Sequence, residues 1–235
     1  MKFNQALDSG DSVPVPAGTG ADEHATPRGE RARERLIHTA TRIFAEKGFA
    51  KASTREICQS AGQNVASIHY YFGDKAGLYR AVLREPIEEI ALAFAGFDDA
   101  ALSLPAALRR FMAALLCPWG QDERATWVMR LHLREMVEPS ADYKDVVMAQ
   151  IQPHHERLVN LLARHVGAAA PDESLHQLAF ALGAMVHDYG MSREFMDMLA
   201  PSLLQGPGAL DKVLDRLVGY GVALVAHERA ERHKQ

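Results

Sequence analysis

Between residues 53 and 75 the chain concentrates short hydrogen-bonding side chains: Ser53, Thr54, Arg55, Gln63, Asn64, Ser67, His69, Tyr70 and Lys75, with Val65 among them. Such groups on short helices can reach base edges in a major groove without repelling the backbone, while hydroxyls, helix-end amides and a lysine suit phosphate oxygens. The eleven histidines suggest metal chemistry less well. His154 and His155 are adjacent and point in different directions on a helix. His132, His165, His176 and His187 show no i, i+4 pairing with another His or Cys, the spacing by which zinc sites declare themselves. Cys58 and Cys117 are too few for a disulfide framework or a thiolate zinc site. There is no Gly-rich phosphate loop, nucleophile motif or convincing acid–base pair. The residues point to a binding protein with no metal and no cofactor, and not to an enzyme.

The elements that must position these side chains are helical. Leu36, Ile37, Ala40, Ile43 and Phe44 fall on one face of a first helix, which Gly48 ends as a left-handed C′ residue. Ser53-Thr54-Arg55-Glu56 has the form of a capping box for a second helix, with Ile57 and Ala61 inward and Gly62 as its stop. Asn64 caps a third helix with Val65, Ile68 and Phe72 inward; Gly73 ends it and Asp74 caps the next. Two short helices joined by a Gly-containing turn make a helix-turn-helix. A long helix follows from Lys75, and Pro86 predicts a kink in it. Further helices are expected over 104–117, 122–137, 141–166, 173–198 and 207–232. The fold class is all-α, with a disordered tail over 1–27, a helix-turn-helix domain over 28–74 and a larger helical domain over 75–235.

Charge follows the same division. The formal net charge of −4 is the sum of −3 over residues 1–27, +6 over 28–84 and −7 over 85–235. A small basic module attached to a larger acidic one suggests that the first meets a polyanion, whereas the overall acidity excludes indiscriminate coating of nucleic acid. No apolar run approaches the roughly 18 residues of a membrane-spanning helix. The N-terminus lacks the apolar core of a secretion signal, so the expected location is the cytoplasm.

Residues Arg33 to Val82 resemble the N-terminal domain of the TetR family of transcription regulators. The resemblance rests on Ala40-Thr41-Arg42-Ile43-Phe44-Ala45-Glu46-Lys47-Gly48-Phe49, on Ser53-Thr54-Arg55-Glu56-Ile57, and on Ala61 to Tyr79 with its aromatic run and Phe-x-x-Lys-x-x-Leu spacing. It implies that Thr54, Tyr70 and Lys75 contact the DNA backbone and that Gln63, Val65, Ser67 and His69 read or approach bases. His69 stands where many relatives carry Tyr, and Ala66 where many carry Gly, so base preference does not transfer. The stretches Leu131 to Ser140 and Gln152 to Leu158 resemble the CerR- or CecR-type C-terminal domain. In the wider family this half dimerises and encloses an effector pocket.

Two stripes are candidates for the subunit contact: Leu178, Leu182, Met185 and Tyr189 after Leu175, and Leu214, Leu217, Gly221 and Leu224 after Leu210. The small residues Ala181, Gly183, Ala184, Gly219 and Ala223 beside them allow close helix approach. One buried intramolecular hairpin is the alternative. Candidate pocket residues are Phe111, Leu115, Trp119, Trp127, Met129, His132, Leu133, Met136, Met148 and His155, although such stripes are also ordinary core. The leading expectation is a homodimeric repressor that binds a near-palindromic double-stranded DNA operator and is released by a small-molecule effector, with Pro86 as a candidate hinge. A constitutive binding module and, less well supported, an enzyme are the alternatives.

Overall fold

A computed structural model of the protein describes residues 27–116 and 123–234. Residues 1–26 of the expected N-terminal tail, Cys117 and Trp119 lie outside the described residues, and Pro27, the last residue of that expected tail, opens α1. The described chain forms eleven α-helices and no strand: α1 Pro27–Lys51, α2 Thr54–Ser60, α3 Ala66–Phe72, α4 Lys75–Ala93, α5 Leu104–Leu116, α6 Glu123–Val137, α7 Ala141–Gln150, α8 Gln152–Val166, α9 Glu173–Met191, α10 Arg193–Leu199 and α11 Ala209–Arg232. No described helix is long and apolar enough to cross a membrane.

Local chemistry explains most boundaries. Gly48 adopts φ 73° and ψ 167°, so the regular part of α1 stops there and a last turn runs on to Lys51. Asp74 caps α4 by accepting from Gly77 N at 2.7 Å. The segment 141–166, expected as one helix, is two. Ile151 separates α7 from α8, and Pro153 lies in the first turn of α8, where a missing amide is harmless. Ser192 likewise separates α9 from α10 within the helix expected over 173–198. Pro86 does not break α4, which continues to Ala93.

The apolar residues collect in two clusters. One gathers Leu36, Ile43 and Phe44 of α1, Ile57 of α2, Ile68 of α3 and Leu78 and Val82 of α4, together with Leu131 of α6 and Tyr143 and Val146 of α7. The other joins α5, α8, α9 and α11 around Leu108, Met112, Leu161, Leu182 and Leu217.

The second cluster corrects the expected subunit contact. Leu178, Leu182, Leu214, Leu217 and Gly221 are buried within the protomer, and Met185, Tyr189 and Leu224 pack against the same cluster. Their 3- and 4-residue steps mark the faces that α9 and α11 turn towards α5 and α8, as in the intramolecular alternative. The outward faces carry the neighbouring small residues Ala181, Ala184, Gly219 and Ala223, with Phe180 and Tyr220 68% and 51% exposed.

Candidate nucleic-acid interface

Helices α2 and α3 have seven residues each, too short to stand alone, and are held by what they bury. Ile57 and Cys58 of α2, Ala61 of the turn and Ile68 of α3 enter the cluster around Phe44. Between the helices, Gly62 takes φ 63°, Ala61 N donates to Ile57 O at 2.9 Å and Gln63 N donates to Cys58 O at 2.8 Å. Asn64 Oδ1 accepts from Ala66 N at 3.0 Å, so the side chain expected to start α3 does so. The capping box at Ser53 does not form. Ser53 makes no side-chain cap bond, and Glu56 instead accepts from Lys47 Nζ at 2.6 Å, tying α2 to the end of α1. A nearby lysine wins over the reach back to an amide that solvent can satisfy.

This packing leaves one face of α3 outward. Ile68 is the helix's sole buried residue, whereas Val65, Ala66, His69 and Tyr70 are exposed and Ser67 is half-buried. Val65 was expected inward; at 41% exposure it belongs to the outer face. His69 Nδ1 lies 2.6 Å from Gly73 O, which fixes the ring against the end of its own helix. Tyr70 stands edge-on to Tyr71, 4.8 Å between centroids. Lys75 Nζ sits 4.6 Å above the Phe49 ring and reaches Ala50 O at 3.5 Å. Ser53, Thr54 and Arg55 open α2, and Gln63 and Asn64 occupy the turn. The ten sequence-selected residues thus lie at Ser53 just before α2, on α2, in the turn through Val65, on α3 and at the first residue of α4, and none is buried.

Behind this face runs a buried polar path that the sequence reading missed. Tyr79 of α4 packs edge-on against Phe44 at 4.9 Å and donates from Oη to Glu135 Oε1 of α6 at 2.6 Å. The other carboxylate oxygen accepts from both Ser140 N and Ser140 Oγ at 2.8 Å. Ser140 Oγ also accepts from Tyr143 N at 3.1 Å, capping α7. Tyr143 Oη lies 2.6 Å from His132 Nδ1, and His132 Nε2 lies 3.0 Å from His187 Nε2 of α9. Burial, then the hydrogen bond to Glu135, pushes the Tyr79 phenol above its ordinary range, so it stays a donor. One signal was available: Leu131 and Glu135 are four residues apart and therefore share the inward face of α6.

The expected pocket residues are scattered. Phe111 is core, stacked on Phe94 at 5.4 Å, and Leu115 packs on the same cluster. Trp127 packs on the other cluster and meets the His38 ring edge-on at 5.4 Å. Met136 and Met148 are 51% and 58% exposed. His155 Nε2 bonds to His176 Nδ1 at 2.9 Å beside Phe180. Met129, His132 and Leu133 remain half-buried on α6. Two clefts, of about 390 Å³ beside α1 and α2 and about 330 Å³ between α1 and α4, contain none of these residues.

The half-buried histidines set a pH dependence. Burial, then the neighbouring His187, holds His132 down from 6.5 to about 4. Burial lowers His187, His154, His155 and His165 as well. Below pH 6.5 the unfolded chain takes up a proton that folded His132 refuses until about pH 4, so stability is full above that window and falls across it. The contribution of His132 is at most about 3 kcal/mol. Urea denaturation at pH 7 and pH 5 should show a smaller acid loss in His132→Gln than in the parent; equal losses would remove His132 as the cause.

Comparisons with known proteins agree with this geometry. Residues 36–82 match the bacterial regulatory proteins of the tetR family, and residues 104–223 match the C-terminal domain of the HTH-type transcriptional dual regulator CecR. The HTH-type transcriptional dual regulator CecR of Shigella flexneri is 33% identical over 178 residues, 67% of this chain and 79% of that protein. The probable HTH-type transcriptional regulator YttP of Bacillus subtilis is 43% identical over 53 residues, 23% of this chain and 26% of that protein. A solved tetR-family regulatory protein from Rhodococcus RHA1 shares the fold at a TM-score of 0.60 with 19% identity, covering 83% of this chain and 96% of that one. PfmR from Thermus thermophilus does so at 0.58 with 19% identity over 82% and 95%. The chain belongs to the TetR family of DNA-binding transcriptional regulators, with a C-terminal domain of the CecR type.

Proposed function

We propose that the protein binds a near-palindromic operator as a homodimer, represses where that operator overlaps a promoter, and leaves the DNA when a small molecule binds its C-terminal half. The observation that carries the reading is the outward face of α3, with Val65, His69 and Tyr70 exposed above a single buried Ile68. Gln63, Val65, Ser67 and His69 then face bases, while Ser53, Thr54, Arg55, Tyr70 and Lys75 hold phosphates. Asn64 serves chiefly to start α3. The relative from Shigella flexneri is named a dual regulator. The sign of regulation is accordingly assigned to operator position and not to the protein.

The two kinds of contact respond differently to mutation. Lys75→Ala should weaken matched and mismatched duplexes alike and reduce the log–log salt slope by about one. His69→Ala should change the preferred base at one position in each half-site, by about 1–3 kcal/mol of discrimination. Fluorescence anisotropy over a salt series checks both. Identical effects of the two variants on all sequences would overturn the division of roles.

The outer faces of α9 and α11 supply the dimer surface in this reading. The two helices touch each other, and the exposed residues Phe180, Ala181 and Ala184 of α9 and Gly219, Tyr220 and Ala223 of α11 make up the proposed patch. A two-fold axis through it makes a four-helix contact with small residues at the closest approach. The double variant Ala184→Glu/Ala223→Glu should sediment as a helical monomer and bind operator roughly 100-fold more weakly, because one head then binds without its linked partner. A dimer that persists in this variant places the contact elsewhere. Titrating compounds against the protein–operator complex tests the effector: release identifies one, and a comprehensive absence of release removes that part of the reading.

A further inference from the structure

The exposed ring of His69 is tied to the end of its own helix by a reciprocal pair of contacts. Gly73 N donates to His69 O at 3.1 Å and closes the last turn of α3. The Gly73 oxygen lies beyond the carbonyls that the helix itself satisfies, and His69 Nδ1 approaches it at 2.6 Å. Gly73 presents that oxygen from a backbone at φ 79° and ψ −57°, a positive φ that favours glycine. A carbonyl oxygen only accepts, so the proton of the neutral imidazole sits on Nδ1 and donates to it. The second ring nitrogen, Nε2, is then an acceptor. Among the described residues no hydrogen bond to Nε2 is present.

The neighbouring side chains leave this acceptor as the polar feature of its stripe. Val65 stands one turn earlier on the same face, 41% exposed, and offers only methyl groups. Asn64 Oδ1 is committed to Ala66 N at 3.0 Å, and Ile68 is buried. A hydroxyl would turn to donate or accept as its partner required; the ring, with one nitrogen occupied, is fixed in the accepting sense. Base edges in a major groove divide on this property. Adenine N6 and cytosine N4 are donors, whereas guanine presents N7 and O6 and thymine O4, all acceptors.

We infer that His69 reads an exocyclic amine: Nδ1 is committed to Gly73, and Nε2 accepts from adenine N6 or cytosine N4 in each half-site. The assignment deepens the operator-binding reading and rests on its placing of His69 against a base edge. A guanine or thymine edge facing the same nitrogen sets lone pair against lone pair, so it is rejected and not merely left uncontacted. Gly73 touches no base in this arrangement. It is a positioning residue that acts through the imidazole.

Duplexes selected from a random pool at about pH 8, above the ordinary range of imidazoles, by the parent protein and by His69→Ala mark the base pair whose preference His69 supplies. In the parent's duplex, purine in place of the adenine of that pair, or pyrimidin-2-one in place of its cytosine, removes the amine. A 7-deaza purine removes N7 instead. Amine removal should weaken the parent protein about three- to tenfold more than it weakens His69→Ala. Both proteins meet the same duplex, so altered base pairing cancels. Removal of N7 should affect the two equally. Nitrogen-15 spectra of the histidine rings in the DNA-free protein, assigned with His69→Ala, should show Nδ1 protonated and Nε2 bare. Coupling to N7 in place of the amine, equal responses to amine removal, or a proton on Nε2 overturns the inference. A selection in which His69→Ala changes no base pair removes the contact between His69 and bases altogether, and is thereby distinguished from a wrong choice of atom at a pair that His69 does read.

Discussion

Gly77→Ala is expected to abolish operator binding and to destabilise the DNA-facing half by about 3 kcal/mol or more. A Cβ at position 77 would lie 1.9 Å from the carbonyl oxygen of Phe72 and 3.0 Å from its carbon. Both atoms are backbone, so no rotamer change relieves the overlap. The amide of Gly77 is also the donor to the Asp74 cap at 2.7 Å. Relief must therefore come from moving the end of α3 or uncapping α4, and either displaces His69, Tyr70 and Lys75 together. Gly221 provides the contrast: its added Cβ would meet Met112 Cε at 3.0 Å and Leu108 Cδ1 and Leu182 Cδ2 at 3.1 Å, all ends of flexible side chains. Gly221→Ala should accordingly cost about 1 kcal/mol. Thermal denaturation and anisotropy titration of the two variants decide the matter, and a Gly77→Ala protein with parental melting and binding contradicts the geometry.

Glu135→Leu is the second large effect, at about 3 kcal/mol or more. Glu135 is 3% exposed, and its two oxygens accept from the Tyr79 hydroxyl and from both donors of Ser140. Leucine keeps the volume but leaves the buried Tyr79 hydroxyl and the half-buried Ser140 donors without their acceptor. Glu135→Gln should cost only about 1 kcal/mol, because its oxygen can still serve Ser140 while its amide donates to the Tyr79 oxygen. The difference between the two variants measures the buried bonds separately from side-chain size. Urea denaturation that shows them equally stable would mean that the path from Tyr79 to Ser140 contributes little to joining α4, α6 and α7.

The helix-turn-helix was legible because local chemistry determines it. Gly48, Gly62 and Gly73 mark its turns, Asp74 caps α4, and Ile57 and Ile68 point inward by spacing alone. The residues offered to DNA came from the resemblance to the TetR family, whose motifs run through the same local signals. Two local inferences failed through tertiary competition: Glu56 pairs with Lys47 across helices instead of capping, and Val65 lies outside because one turn of register decides the face of a seven-residue helix. The C-terminal half was less legible. A leucine stripe of 3- and 4-residue steps says that a helix has an apolar face, not whether that face meets its own chain or another, and here Leu182 and Leu217 meet their own. Residue type hid Glu135: its four-residue spacing from Leu131 puts it on the inward face of α6, but an acid reads as an exposed position until its partner 56 residues away at Tyr79 is known. The break at Ser192 has no sequence punctuation that we can identify.

Selection of duplexes from a random pool by the protein probes recognition through α3 in a two-fold dimer. The expected result is enrichment of an inverted repeat whose half-site centres lie about one helical turn, roughly 10 bp, or a multiple of it apart. His69→Ala should alter the same position in both halves, whereas Lys75→Ala should recover the parental sequence with lower affinity. Enrichment of a single unrepeated motif, or a preference that is unchanged by His69→Ala, would contradict recognition through the outward face of α3 in a two-fold dimer.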